Sequence, residues 1–297
     1  MFDYIIIKMP KKLTNNKLIN DYIEHITNES KLSPQTLKTY INIANNLPFN
    51  VLTSQPTIIK KLKTLYDNGN TLALNLNMII LVRKYNSEEV DKLLKFRNSL
   101  LDTIKSQRKT RLDKLDEALP SYSEIKQILD KLTGVDYIVN YLMINNGLRN
   151  KDLNLQFVKE FPEETTENMI RIKGKNALLN INSYKTQKSH GEKNIKVSDP
   201  KFIQELKKLK LTVGDYLIPM KDGSKMANIT TFNDKVKRLS ILKLGQNKLI
   251  KIHIKHLLNN KQFDTLEQIG RDRGTSLSVL LTSYNLENGH EQNIKED

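Results

Sequence analysis

From Ile19 to Ile104 the apolar residues recur at helical spacing, and no alternating strand pattern interrupts them. A chain that begins this way buries its apolar stripes by packing helix on helix. Ile19, Tyr22, Ile23 and Ile26 mark the first face. Ser33-Pro34 then supplies a cap and a first-turn proline ahead of Leu37, Tyr40, Ile41 and Ala44. Ile58, Ile59, Leu62, Leu65 and Tyr66 mark a third helix. The fourth, Leu72 to Tyr85, is apolar over much of its circumference and is expected at the centre of a small bundle. Ser87-Glu88-Glu89 reads as the cap of a fifth, running through Leu93, Leu94, Leu100 and Ile104.

Residues 105–119 turn strongly charged, and Pro120-Ser121 starts a new helix. A domain boundary is expected there: 1–115 as a helical domain ending in a basic linker, 120–286 as a second domain, and 287–297 as a polar tail. The second part is mixed. A helix through Tyr137, Ile138, Tyr141, Leu142 and Ile144 ends at Gly147. Alternation at Ile170/Ile172, at Leu179/Ile181/Tyr184 and at Ile195/Val197 predicts three short strands. Helices return at Phe202 to Leu209, Thr231 to Leu244, Leu266 to Ile269 and Leu277 to Tyr284. The expected fold class is mainly α with a small antiparallel β-sheet.

Charge narrows the partner. Forty-eight Lys+Arg against 33 Asp+Glu give +15, an excess that favours a polyanion, because each phosphate neutralised releases condensed counterions. Joint enrichment of Lys, Asn and Ile, as in an AT-rich genome, is the alternative source of that charge. The absence of cysteine removes disulfides, thiolate metal sites and cysteine nucleophiles. No apolar run reaches the ~18 residues of a membrane span. Met1 to Lys8 lacks a basic n-region and a cleavage site, so a soluble intracellular protein is expected.

The sharpest local feature is Asn146-Gly147-Leu148-Arg149-Asn150-Lys151-Asp152-Leu153. A glycine ends one helix, an arginine follows at the next start, and an acid comes three positions later. A guanidinium there suits two phosphate oxygens at once. The structural alternative is a C-cap glycine followed by a surface arginine paired with Asp152.

Gly147-Leu148-Arg149-x-x-Asp152-Leu153 resembles the first-arginine box of the tyrosine recombinases (phage-integrase family), "TGLR-x-x-E-L". Further segments resemble that family in order. "LSPQTLKTYINIANNL" is similar to its N-terminal core-binding domain. Tyr184-Lys185-Thr186-Gln187-Lys188-Ser189, followed by Ile195-Lys196-Val197, resembles the strand-turn-strand whose lysine enters the active site. Arg273-Gly274-Thr275-Ser276 through Tyr284 resembles "LGHSS…Y". The resemblance implies a core-binding domain followed by a catalytic domain. It implies DNA cleavage and rejoining through a 3′-phosphotyrosyl link to Tyr284, without metal or cofactor. Arg149 would hold nonbridging oxygens, and Lys185, with Lys188 competing, would protonate the leaving 5′-oxygen. Ile252-His253-Ile254-Lys255-His256 stands in place of "H-x-x-R-H", with Lys255 at the arginine position and Thr275 where histidine or tryptophan is usual. Lys255 keeps the charge but loses the fork. His253 and His256 read as acid/base groups or as structural histidines, and a metal at the pair lacks a third ligand.

Double-stranded DNA and a homo-oligomer, tetrameric on paired sites, are the implied partners, with integration or a mobile or viral element as the implied setting. Arg108, Lys109 and Arg111 of the linker, with Lys188, are the candidate DNA-backbone contacts, or else a solvated basic face. Two alternatives stay open beside the recombinase: a recombinase-derived DNA-binding protein that has lost cleavage, and a type IB topoisomerase-like enzyme.

Overall fold

The helical stripes of the first hundred residues are used as the spacing requires. In the computed structural model, which describes residues 17–29, 34–184, 187 and 191–284, α1 (Lys17–Glu29) buries Ile19, Tyr22, Ile23 and Ile26. Beside it lie α2 (Pro34–Asn46), α3 (Gln55–Leu65) and α4 (Gly69–Tyr85). The all-round apolar character of α4 matches its place: Leu72, Leu76, Met78, Ile79, Ile80 and Val82 are all buried in one core with residues of α1, α2 and α3. Arg83, also buried, donates to the carbonyls of Val51 (2.8 Å) and Glu89 (2.8 Å), which ties two connections to the end of α4. Ser87 is not a helix cap. It takes a left-handed φ of 57°, and α5 (Asp91–Ala118) starts four residues later.

The chain divides into two compact units, Met1–Arg111 and Leu112–Asp297, and the division falls inside α5. Arg108, Lys109 and Arg111 all lie on that helix. Among the described residues no helix is long and apolar enough to cross a membrane.

The second unit opens with α6 (Tyr122–Lys131), whose start is a capping box between Ser121 and Glu124. Its central helix is α7 (Gly134–Asn145), with Ile138, Val139, Leu142 and Met143 fully buried. A short 3₁₀ turn, Asn150–Leu153, leads into the sheet. The sheet has four strands rather than three, in the order β1 (Leu155–Phe157), β2 (Asn168–Lys173), β3 (Asn176–Ile181), β4 (Lys193–Val197). Strands β2, β3 and β4 are antiparallel as expected, whereas β1 runs parallel to β2. Three residues are too few to show alternation, which is why β1 is silent in the sequence. Tyr184 lies beyond the end of β3, its ring buried and its hydroxyl donating to the Gly191 carbonyl at 2.6 Å.

Among the described residues five helices complete the unit: α8 (Pro200–Lys208), α9 (Ile229–Leu239), α10 (Gln246–Asn259), α11 (Phe263–Arg273) and α12 (Leu277–Tyr284). The expected helix to Leu244 stops at Leu239. Fully buried Asn140 causes the break, because its amide donates to the Leu239 carbonyl and its oxygen accepts the Ile241 amide. The mainly helical fold with a small sheet is therefore as expected, and the additions are the parallel edge strand and α10.

Candidate functional site around Arg149

The segment singled out in the sequence is where α7 stops. Gly147 takes φ 63°, a conformation open to glycine at little cost. The Leu148 amide then turns back to the Leu142 carbonyl (3.1 Å). Close packing adds a second demand for glycine. A Cβ at 147 would lie 3.0 Å from Ile269 Cγ2 and 3.2 Å from Ile250 Cδ1. The chain thus passes directly against α10 and α11 before Arg149.

Arg149 is half-buried, and its guanidinium is not paired with Asp152 as the surface alternative supposed. Nη1 donates to the Arg273 carbonyl at 2.5 Å and Nη2 to Thr275 Oγ1 at 3.1 Å. Asp152 instead receives the Arg149 backbone N–H on Oδ2 at 3.1 Å. The arginine therefore reaches across the fold to the turn between α11 and α12, and Thr275 is one of its direct partners.

Three residues to which the sequence reading gave no role complete the cluster. Lys193, the first residue of β4 and 6% exposed, donates to the Asp272 carbonyl at 2.9 Å and lies 3.5 Å from Asp152 Oδ2. The Tyr184 ring covers its ammonium at 3.9 Å. Arg273, 1% exposed, donates through Nη1 to the Gly147 carbonyl and through Nη2 to Asn247 (3.4 Å). Asp272 accepts from Asn146 (2.7 Å) and Gln268 (2.6 Å). Burial pushes the Lys193 ammonium below the ordinary lysine range, with Asp152 opposing that shift. It pushes the Asp272 carboxyl up, against the bonds from Asn146 and Gln268. With every group in its ordinary charge state, Arg149, Lys193 and Arg273 outnumber Asp152 and Asp272 by one positive charge.

Both missed cations carry a sequence signal. Lys193 precedes Ile195 and Val197 at period two, and β4 indeed alternates buried and exposed from Lys193 onward. Arg273 follows Leu266 and Ile269 at helical spacing and shares their buried side of α11. A cation at a core-facing register position marks a charge that the fold must compensate.

Lys255, His253 and His256 lie on α10 beside the start of α6. Helix α10 turns Ile250, Ile254 and Leu257 toward α11 and α12. His253 and His256 instead lie parallel to the Tyr122 ring, with centroids 4.7 and 4.2 Å away. Lys255 and His256 line a cavity of about 510 Å³ beside the start of α6. From α10, Asn247 is bonded to Arg273 and Ile250 packs against Gly147. Lys185 and Lys188 lie outside the described residues. Tyr284 is the last residue of α12. Among the described residues no group of three or more His, Cys, Asp or Glu side chains is placed to hold a metal.

His253 is buried, and its Nδ1 meets the Ile144 carbonyl at 2.8 Å, so the neutral ring carries its proton there. Burial lowers its pKa to about 4, outweighing the Ile144 bond, and His256 adds to the lowering. Between pH 6.5 and 4 the unfolded chain binds a proton that the folded chain refuses. Stability is therefore expected to fall as pH drops through that window, by at most about 1.4 kcal/mol per pH unit from this group. Urea unfolding of wild type and His253→Phe at pH 7 and 4.5 checks this. Equal pH dependence in the two proteins would contradict a buried neutral imidazole.

No protein-family model matches the sequence, and no curated protein matches it. Among solved structures, that of XerA recombinase is similar over 91% of this chain and 94% of that one, with 13% sequence identity and a TM-score of 0.38.

Proposed function

We propose that the chain binds duplex DNA and breaks and rejoins it as a tyrosine recombinase does, with Tyr284 as nucleophile and Arg149 as the phosphate-binding cation. The observation that carries this reading is the bonding of the Arg149 guanidinium to Arg273 and Thr275. Helix α12 departs from that turn and ends at Tyr284 after eight residues, a run of about 12 Å. In the reaction the Tyr284 phenolate oxygen forms a bond to phosphorus while the P–O5′ bond breaks. The 5′-oxygen leaves with a proton, and a second DNA 5′-hydroxyl later reverses the step. Arg149 offsets the charge that builds on the nonbridging oxygens.

Lys185 or Lys188 is the proton donor in this reading. In support, the described segment that precedes Lys185 is tied to the Arg149 turn. The Asn168 oxygen accepts the amides of Asn182 (2.9 Å) and Ser183 (2.7 Å), while its amide donates to the Lys151 carbonyl (3.3 Å). The +15 charge supports a DNA partner, with Arg108, Lys109 and Arg111 as backbone contacts. A homo-oligomer on paired sites belongs to the same reading, since strand exchange needs one nucleophile for each strand cut.

A second reading, duplex binding without cleavage, is favoured by one observation. Thr275, where the resemblance expects histidine or tryptophan, is itself bonded to the Arg149 guanidinium.

Covalent trapping separates the two. Wild type, Tyr284→Phe and Arg149→Ala are incubated with nicked or supercoiled DNA fragments of the source genome, denatured, and assayed for protein-linked DNA. We expect an adduct with wild type, none with Tyr284→Phe, and a loss of about 10²–10³-fold with Arg149→Ala. Most of the DNA affinity should survive in Arg149→Ala, since one phosphate contact among many carries little of it. Salt-sensitive binding without an adduct in any of the three would establish the second reading. Loss of binding equal to loss of cleavage would remove Arg149 from the catalytic role.

A further inference from the structure

Lys193 contacts both segments that hold Arg149. Its Nζ lies 3.5 Å from Asp152 Oδ2, the oxygen that accepts the Arg149 amide. It also donates to the Asp272 carbonyl, one residue before the carbonyl that receives Arg149 Nη1. An aliphatic side chain at 193 would continue the buried Ile195–Val197 stripe without taking a charge out of water. Such a side chain would neither neutralise Asp152 nor reach across to the end of α11. The ammonium does both from a nearly closed position, 6% exposed and capped by the Tyr184 ring.

We propose that Lys193 is a positioning residue, whose ammonium clamps the 149–152 turn to the last turn of α11 and so sets the direction of the Arg149 guanidinium. The role in aiming Arg149 at a DNA phosphate rests on the recombinase reading; the clamping itself does not. Lys193 is held by protein acceptors, and it acts through Arg149 rather than on the reacting atoms.

The test uses the full chain in three forms: wild type, Lys193→Met, and Lys193→Met combined with Asp152→Asn. The first variant keeps length and apolar bulk without the charge. The second also removes the stranded carboxylate charge while leaving an oxygen to accept the Arg149 amide, so it serves if the single variant fails to fold. The primary readout is the rate at which phenylglyoxal modifies Arg149, followed by mass spectrometry, with exposed Arg238 as internal reference. We expect Arg149 to react several-fold faster in the folded variants while Arg238 is unchanged. An unchanged Arg149 rate in a folded variant overturns the proposal.

The second readout is covalent trapping, where cleavage is expected to fall by about 10²-fold from misplacement of the arginine. Duplex affinity should remain near that of wild type. An affinity loss matching the cleavage loss would show that Lys193 contacts DNA itself and is no positioning residue. If wild type forms no adduct, the recombinase reading fails, and arginine reactivity still decides the role of Lys193.

Discussion

Replacing Asp152 by alanine is expected to destabilise the Leu112–Asp297 unit by about 3–5 kcal/mol, because it strands a buried ammonium. Asp152 is fully buried, and its Oδ2 serves both the Arg149 amide at 3.1 Å and Lys193 at 3.5 Å. Alanine leaves the Lys193 charge facing the Asp272 carbonyl and the Tyr184 ring without the Asp152 carboxylate. Burial already holds the Lys193 pKa below its ordinary value, and Asp152 is the main opposing influence. Without it the folded-state pKa falls further. Below the unfolded lysine pKa, the unfolded chain then binds a proton that the folded chain has shed, so stability climbs as pH rises toward the ordinary lysine range. Urea unfolding of wild type and Asp152→Ala at pH 7 and 9.5 reads both effects. A loss below about 1 kcal/mol at pH 7 would show that the pair contributes no more than an exposed one.

Gly147→Ala is expected to cost about 2–5 kcal/mol, from two separate sources. A left-handed φ costs a residue with a Cβ about 1–2 kcal/mol, and overpacking a filled core adds about 1–3 kcal/mol. The overpacking follows from Ile269 Cγ2 and Ile250 Cδ1, at 3.0 and 3.2 Å from the added carbon. Gly174 provides the control. It has φ 61° at the β2–β3 turn with nothing within 4 Å, so alanine there should incur the backbone cost alone. Thermal unfolding of the two variants isolates the packing cost, and equal shifts in Tm would mean that Gly147 is held by its backbone angle alone. The effect should also reach the candidate site. The Gly147 carbonyl accepts from Arg273, whose own carbonyl accepts from Arg149. Under the recombinase reading, Gly147→Ala should lose more cleavage than DNA affinity.

The helices were readable because their stripes are long. Ile19–Ile26 and Leu72–Val82 extend over about two and three turns, and burial at 3.6-residue spacing admits few other structures. The β2–β3 hairpin was readable through alternation on both sides of Gly174. Apart from the fourteen-residue helix α10, where the motif at 252–256 was read without its helix, what escaped was short or set by distant contacts. Strand β1 has three residues, and its parallel partner is β2. The end of α9 depends on Asn140, about a hundred residues away, and no pattern around Leu239 announces it.

At the site, local spacing drew attention to Arg149 and Asp152 and left a pairing of the two open as the structural alternative. Spacing of three suggests a pair, whereas the carboxylate caps the backbone of its own turn and the side chain crosses to Arg273 and Thr275. On α10, the motif position drew attention to Lys255, His253 and His256. The turn of the helix decides which side chains face which neighbour, and it places these around Tyr122.

The sequence alone determined the helical first part, the mixed second part, the excess of positive charge and the turn at Gly147, because each follows from periodicity, composition or the reach of a few bonds. Tertiary structure decided which charges meet. Arg149, Lys193, Asp272 and Arg273 come from an α7–β1 connection, a strand and the end of a helix, and only close packing brings them within hydrogen-bond distance. A buried charge is tolerated only where such partners converge, and that condition belongs to the folded chain rather than to any segment of it.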